Sequence, residues 1–214
     1  MVMQMAVTRR IGTLSLFLAL LLTYGCFPKL IKMEQAERAR LKDEGEIQAI
    51  HYSGKFLEVD TDSSSNSEAE ALVFPFTSYQ LRLILEDPVL EVKERVVLAM
   101  DAALELKSVR LIQEPLVGDD LDQLKAALGK GLAIDFKTII WNLDHKKIWY
   151  VARSRIIRLE DSKILWQGVC DVKNHLSGSW AEHMAAEAAL LKKRLNEVAE
   201  SCAQNLEFQL VGNE

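Results

Sequence analysis

The side chains best suited to chemistry in this 214-residue chain are three cysteines and four histidines, and their spacing limits what they can do. Zinc sites of the common kinds are built from closely spaced pairs of cysteines or histidines. No Cys-x-x-Cys pair occurs, and the histidines share no regular spacing: His51, His145, His175 and His183. The sequence therefore predicts no metal site.

The motifs of common catalytic centres are also missing. The chain contains no Gly-x-Ser-x-Gly, no His-Glu-x-x-His, no Gly-x-x-x-x-Gly-Lys phosphate loop and no Gly-x-Gly-x-x-Gly fingerprint. We therefore predict a protein that is not an enzyme and binds no cofactor. Charges of both signs are spread along the chain, with a net charge of −5 and no basic stripe, which argues against nucleic acid as a partner.

The first 25 residues have the parts of an export signal. Arg9 and Arg10 precede an apolar block at 11–22, and the small residue Gly25 closes the segment. A helix that spans a bilayer needs about 20 apolar residues, and this block is shorter. We predict that residues 1–25 are a cleaved signal peptide, with an uncleaved N-terminal anchor as the alternative. Loss of the two arginines would change the net charge from −5 to −7.

Cys26 directly follows this segment, within residues 22–26 (LTYGC). The stretch resembles the lipobox of bacterial lipoproteins, although Thr23 stands where leucine is usual and Tyr24 is larger than the usual alanine or serine. The resemblance implies that the Cys26 thiol carries diacylglycerol and that its freed amine is acylated. One acyl chain anchors marginally, at ~0.8 kcal/mol per buried methylene, whereas two or three hold firmly. Phe27 stands where aspartate would resemble an inner-membrane retention signal, which favours the outer membrane.

Cys170 and Cys202 are the remaining cysteines. An isolated pair in an exported protein is commonly a disulfide. The loop of about thirty residues that it would close is worth roughly 3–4 kcal/mol in the chain-entropy model. Cys202 lies on the apolar stripe of a predicted C-terminal helix, and Cys170 lies near the end of the last predicted strand, so helix packing on the sheet would let them meet. Two buried free thiols are the alternative.

The elements that must position these residues follow from periodicity and caps. Strands are predicted at 46–52, 56–59, 78–85 and 109–112, and an antiparallel meander at 132–143, 148–159 and 164–172. Apolar stripes predict helices at 89–106 and 121–128. Ser179 and Glu182 form a capping box before a long C-terminal helix. The predicted fold is α+β: an antiparallel sheet with an internal helix pair and a long C-terminal helix packed on one face.

The predicted mature chain has a tether and one domain. Residues 26–45 form a lipid-anchored tether with a short charged helix, interpreted as a solvated stalk, and residues 46–214 form a periplasmic domain. Residues 61–71 (TDSSSNSEAEA) predict a mobile surface loop. Because the mature surface is acidic, we expect the anchor rather than the domain to supply membrane affinity.

Two groups of residues on the meander are candidate binding sites. Trp141, Trp149 and Trp166 fall on adjacent strands, where they form either an exposed aromatic patch or ordinary packing beneath helices. Arg153 and Arg155 lie two residues apart and therefore share a face of their strand. A phosphate or glycan site is conceivable there, and a solvated strand face is the simpler expectation.

The stretch from 139 to 170 carries a further resemblance. It contains Trp141, the run 152–155 (ARSR) and the segment 163–168 (KILWQG), and it is similar to a group of proteobacterial lipoproteins with a KxLWQG strand. The order of elements over 78–206 also resembles the periplasmic α/β domains of lipoproteins of curli export and of penicillin-binding-protein activation. Shared architecture does not transfer a function, and neither resemblance implies catalytic residues.

Two functions fit these observations. The first is a non-enzymatic binding or scaffolding lipoprotein, held at the outer membrane by its lipid and facing an envelope protein partner in the periplasm. It predicts an exposed apolar patch. The alternative is a small-ligand or lipid-handling auxiliary of an ABC-type transport system. That function needs an apolar pocket between the sheet and the C-terminal helix.

Overall fold

The computed structural model describes residues 28–43, 46–59, 80–104, 106, 108–144 and 146–212. Its elements, in chain order, are α1 (Gln35–Leu41), β1 (Glu46–His51), β2 (Glu58–Val59), α2 (Val89–Leu104), β3 (Ser108–Leu111), α3 (Leu121–Leu128), β4 (Leu132–Leu143), β5 (Lys147–Arg158), β6 (Lys163–His175) and α4 (Trp180–Val211). The predicted signal peptide, Cys26 and the predicted mobile loop at 61–71 lie outside the described residues.

The strands form one mixed sheet with the order β3-β1-β4-β5-β6, and β2 pairs with β4. The predicted meander is confirmed, because β4, β5 and β6 pair in antiparallel fashion. β1 runs parallel to both β3 and β4. Parallel neighbours need crossover connections, and α2 and α3 lie in those connections. The fold is α+β, as predicted, with parallel pairs added at one side of the sheet.

Helices cover the sheet unequally. α2 and α4 pack beside each other on one face, hereafter the α4 face, where they bury apolar side chains of β1, β4, β5 and β6. α3 packs on the opposite face, hereafter the α3 face, through Leu124 against Ile50, Ala133 and Ile157. The internal helices predicted from sequence therefore lie on opposite faces of the sheet.

The strand predicted at 78–85 is wrong over the described part, because residues 80–84 are helical. Leu81, Leu83 and Leu85 alternate in a way that suggests a strand, yet only Leu81 and Leu85 are buried. These two are four residues apart, one helical turn, and the Leu85 N–H donates to the Leu81 carbonyl over 2.9 Å. A helical turn places Leu81 and Leu85 on the same side of the segment, where both are buried.

α4 begins with the predicted capping box. The Glu182 carboxylate accepts from the Ser179 N–H over 2.7 Å, and the Ser179 hydroxyl accepts from the Glu182 N–H over 3.3 Å. The helix is interrupted at 185–188, where Ala186, Glu187 and Ala188 have φ of 49°, 56° and 61°. Left-handed backbone is costly for residues with a Cβ, so α4 contains one strained turn before its regular part.

Candidate functional site

Cys170 of β6 and Cys202 of α4 form a disulfide, with their Cα atoms 5.2 Å apart. Both residues are buried on the α4 face. The bond joins the last strand to the last helix, as the positions of the two cysteines predicted. Its role is to hold α4 on the sheet, and the two thiols are not available for other chemistry.

The three tryptophans do not form one exposed patch, which corrects that interpretation. Trp141 and Trp166 are buried on the α4 face, and the Trp166 Nε1–H donates to the Gln209 carbonyl over 3.4 Å. Trp149 lies on the other face, because it is adjacent in the strand to Tyr150, whose side chain is buried on the α4 face. Its indole N–H donates to Asp171 over 2.9 Å.

The expected stalk is packed on the domain, which corrects a second interpretation. Glu37 and Leu41 of α1 are buried. The Glu37 carboxylate lies 3.0 Å from Lys163 Nζ and 3.2 Å from Arg158 Nη1. The hydrogen bond from Lys163, together with the two positive charges, lowers the pKa of Glu37. The polar pattern of α1 reflects ion pairs with the β5–β6 turn as well as exposure to solvent.

The residues just before α1 extend the sheet. Ile31 and Gln167 of β6 exchange two backbone hydrogen bonds, of 3.0 and 2.9 Å. The Gln167 side-chain amide also donates to the Lys29 carbonyl. Arg38 then donates to the Leu210 carbonyl near the C-terminal end of α4 over 2.5 Å. The described chain is thus part of the folded domain from Lys29 onward.

A charged cluster on the α3 face replaces the solvated surface expected for Arg153 and Arg155. Arg155 is buried, and its Nε donates to Oδ2 of the fully buried Asp135 over 2.9 Å. The hydroxyl of Tyr52 donates to the same oxygen over 2.8 Å. Arg153 Nη2 lies 3.0 Å from an Asp119 carboxylate oxygen. The cluster joins β1, β4 and β5 to the loop before α3.

The pKa shifts of Tyr52 and Asp119 suit a structural role for this cluster and not acid–base catalysis. Burial, reinforced by the negative charge of Asp135, raises the pKa of Tyr52, so its phenol stays a hydrogen-bond donor. Burial opposes ionisation of Asp119, yet the hydrogen bonds from Lys137 and Arg153 outweigh it and lower the pKa of that carboxyl. Neither group is placed to exchange a proton near neutral pH. We therefore interpret the cluster of Tyr52, Asp119, Asp135, Arg153 and Arg155, hereafter the clasp, as a structural link between the sheet and the loop before α3.

One residue of this clasp, Asp135, stands out in the sequence itself. Asp135 is an isolated acid within the apolar segment 132–140 of β4. It stands directly opposite Arg155 in the β4–β5 register. Opposite charges that face each other across two strands form a stabilising pair. Counting outward from the turn at 144–147 would have placed Asp135 opposite Ile156, because the register shifts by one residue between Thr138 and Ile140.

Two further polar features lie near α2: the partly buried Asp87, and the buried pair of Lys93 and His51. Asp87 Oδ1 accepts from the Val89 N–H over 2.9 Å and from the Thr138 hydroxyl over 2.7 Å. Burial raises the pKa of Asp87 despite these bonds. Lys93 is fully buried, and its Nζ lies 3.3 Å from His51 Nδ1. Burial, followed by the Lys93 charge, lowers the pKa of His51.

An apolar crevice lies between the sheet and α4, where a ligand pocket was expected for the alternative function. Its walls include Trp141 and Leu143 of β4, Ile148 of β5, and Leu191 and Leu195 of α4. These side chains pack so closely that the crevice has no room for a water-sized molecule. The crevice is part of the hydrophobic core.

The described part of the chain offers neither a cluster of metal ligands nor a membrane-spanning helix. Within it, no group of three or more His, Cys, Asp or Glu side chains could hold a metal ion. Of the helices described there, none combines the length and the apolarity needed to cross a membrane.

Several solved bacterial structures are similar to this chain, all with low sequence identity and low TM-scores. The dodecameric PelC of Paraburkholderia phytofirmans is 10% identical, with a TM-score of 0.41 over 86% of this chain and 97% of that one. A Xanthomonas campestris protein of family DUF330 is 10% identical, with a TM-score of 0.37 over 77% and 86%. Lipoprotein GNA1162 of Neisseria meningitidis is 14% identical, with a TM-score of 0.27 over 73% and 99%. No protein-family model and no curated protein sequence matches the chain.

Proposed function

We propose that the protein is a lipid-anchored lipoprotein of the cell envelope that acts as a non-enzymatic binding or scaffolding component. The observation that carries the proposal is the position of Ile31, five residues after the lipobox-like Cys26 and hydrogen-bonded to the edge of β6. An anchor on Cys26 would hold the whole domain close to the membrane, because the chain is already paired with β6 at Ile31. The packed crevice beneath α4 supports a binding surface rather than a ligand cavity.

The anchor is tested by labelling cells that express the wild type or Cys26→Ser with radioactive palmitate. We expect label in the wild type only, and membrane sedimentation of the wild type only. Equal labelling of both proteins would end the lipoprotein assignment. Density-gradient separation of the two membranes then tests the proposed outer-membrane location.

The partner is best sought from the exposed apolar side chains. Phe56 and Leu83 are both exposed, and the hydrogen bond from Arg82 to the Leu57 carbonyl, 3.0 Å long, brings their segments together. We propose that this pair belongs to the partner-binding surface, since exposed apolar groups commonly mark such surfaces. A photo-crosslinking residue at position 56 or 83 should capture the same envelope protein in intact cells.

The matched control places the crosslinker at Val117, which is equally open to solvent but lies in the loop before α3. The same product from all three positions would mean nonspecific capture and would argue against this surface. Absence of any protein product, together with lipid copurifying with the protein in mass spectrometry, would favour the transport-auxiliary alternative.

A further inference from the structure

The free edge of β6 is where the start of the described chain and the end of α4 meet. Ile31 pairs with Gln167 on this edge. At the next outward-facing position, the Val169 N–H donates to the Gln209 side-chain oxygen over 3.0 Å, and the Gln209 amide donates back to the Val169 carbonyl over 2.8 Å. The C-terminal end of α4 is therefore held beside the segment that follows Cys26.

Large apolar side chains are exposed at this edge. Leu30, next to the paired Ile31, is 59% exposed, and Phe208, next to the edge-binding Gln209, is 72% exposed. Lys29 and Lys32 flank Leu30 and are also exposed. We call these four residues the β6-edge surface. It combines apolar and positively charged groups on a protein whose overall charge is negative.

The length of chain to the anchor limits how far this surface can stand from a membrane. Ile31 lies five positions after Cys26, and a fully extended chain spans at most about 3.5 Å per position, or roughly 17 Å in all. If Cys26 carries lipid, the edge of β6 must lie within that distance of the headgroups. Phe208, far away in sequence, is brought into the same zone by the Gln209 bonds.

We propose that the β6-edge surface contacts the bilayer, with Phe208 at the level of the headgroups. Aromatic side chains are enriched at the membrane–water interface, and lysines near a membrane are attracted to anionic headgroups. The contact orients the domain and leaves the α3 face and α2 turned toward other molecules. This inference rests on the proposed lipid anchor and assigns a second contact to a residue distant from it.

The test uses the full-length protein purified with its lipid and reconstituted into vesicles of phosphatidylethanolamine and phosphatidylglycerol. Phe208→Cys is labelled with the environment-sensitive dye NBD. Leu98→Cys on α2 is the control, because Leu98 is also 72% exposed but lies on the helix that packs over β1 and β4, away from β6. The wild type should take up no dye, since Cys26 would be lipidated and the other two cysteines are bonded.

We expect the dye at position 208 to shift its emission to the blue and to be quenched by nitroxides on the lipid headgroups, with neither effect at position 98. The dye on Leu30→Cys should show the same changes as the dye on Phe208→Cys. Agreement between the two sites would show that the signal does not come from a local distortion caused by one substitution. Equal dye behaviour at positions 208 and 98 in membrane-bound protein would overturn the inference and leave the anchor intact. A wild type that lacks palmitate and stays in the soluble fraction would instead refute the anchor itself.

Discussion

The guanidinium of Arg155 donates through both Nε and Nη2 to the same oxygen of Asp135, Oδ2, in the interior of the α3 face. The two residues are direct neighbours across β4 and β5. A third donor, the Tyr52 hydroxyl, reaches this oxygen from the end of β1. The carboxylate thus holds three strands together, and its nearest positive charges are Arg155, in direct contact, and Arg153, 3.8 Å away.

Removing Arg155 alone should be strongly destabilising. Arg155→Met breaks the closest ion pair of the buried Asp135 carboxylate and leaves it with the more distant Arg153, whose Nη2 lies 3.8 Å away. Removing one partner of a buried pair typically costs about 3–5 kcal/mol. The double variant Arg155→Met with Asp135→Leu should recover much of that loss, because no buried charge remains. Denaturant titration of both variants measures the difference in unfolding free energy.

The control for this pair is Arg95→Met, which removes an exposed partner of Glu91 within α2. We expect it to cost no more than about 0.5 kcal/mol. If Arg155→Met proves as mild as Arg95→Met, the clasp contributes little to stability, and Asp135 must be compensated in another way.

The disulfide should supply a large part of the stability of the domain. Replacing both residues, in Cys170→Ala with Cys202→Ala, frees a loop of 32 residues and should cost roughly 3–4 kcal/mol in the chain-entropy model. Urea denaturation without reductant gives this difference. Thiol alkylation of the protein unfolded without reductant should modify neither cysteine. In reductant, the difference in unfolding free energy between the wild type and the double variant should disappear. If the difference is unchanged in reductant, the packing of the two side chains accounts for it, and not the disulfide bond.

Asp87 and Asp161 should respond to pH with opposite signs. The pKa of Asp87 is raised in the fold by burial, so the native state holds its proton longer than the unfolded state. Its favourable contribution is complete below the unfolded pKa of about 3.8 and is lost as the pH rises through the folded value. Asp87→Asn should therefore become more stable relative to the wild type as the pH rises from about 3 toward 7.

The hydrogen bond from Arg158, strengthened by its charge, lowers the pKa of Asp161 to about 2. This contribution is present above the unfolded pKa of about 3.8 and disappears as the pH falls toward 2. Asp161→Asn should consequently be less stable than the wild type at neutral pH and equal to it in strong acid. Thermal melting across this range checks both variants, and parallel pH trends for the two would contradict the assignments.

The sequence predicted the structure best where the residues of a single helix or strand are enough to identify that element. The capping box of Ser179 and Glu182 predicted the start of α4, and the apolar stripe at 121–128 predicted α3. The structure shows that Asp120 caps α3 by accepting hydrogen bonds from two N–H groups. Alternation predicted the three long strands. Cys170 and Cys202 could be paired in advance because both positions followed from these elements.

Properties that depend on register or on distant strands were not predicted. Trp141 stands opposite Tyr150 in the β4–β5 ladder and shares its face, whereas Trp149, one residue earlier in β5, points to the other. This difference of one position separates the tryptophans. The insertion of β1 between β3 and β4 joins segments more than 60 residues apart, and no local pattern encodes that contact. α1 appeared to be solvated because its partners, Arg158 and Lys163, are likewise distant in sequence.

The interruption of α4 offers a test in which one substitution has opposite effects at two sites. Glu187 and Glu200 are both exposed residues of α4, but Glu187 has φ of 56° and Glu200 lies in the regular part of the helix. Left-handed backbone costs a residue with a Cβ roughly 1–2 kcal/mol, and glycine avoids that cost. Glu187→Gly should thus stabilise the protein by about 1 kcal/mol.

Glu200→Gly should instead destabilise the protein by roughly 0.5–1 kcal/mol, because glycine in a regular helix loses more backbone entropy on folding. Each substitution removes one exposed glutamate carboxylate from α4, so the change in net charge is the same in the two variants. Urea denaturation at one pH compares the two unfolding free energies directly. If both variants lose stability equally, residue 187 has a right-handed helical backbone, and the assignment of a left-handed conformation to it is wrong.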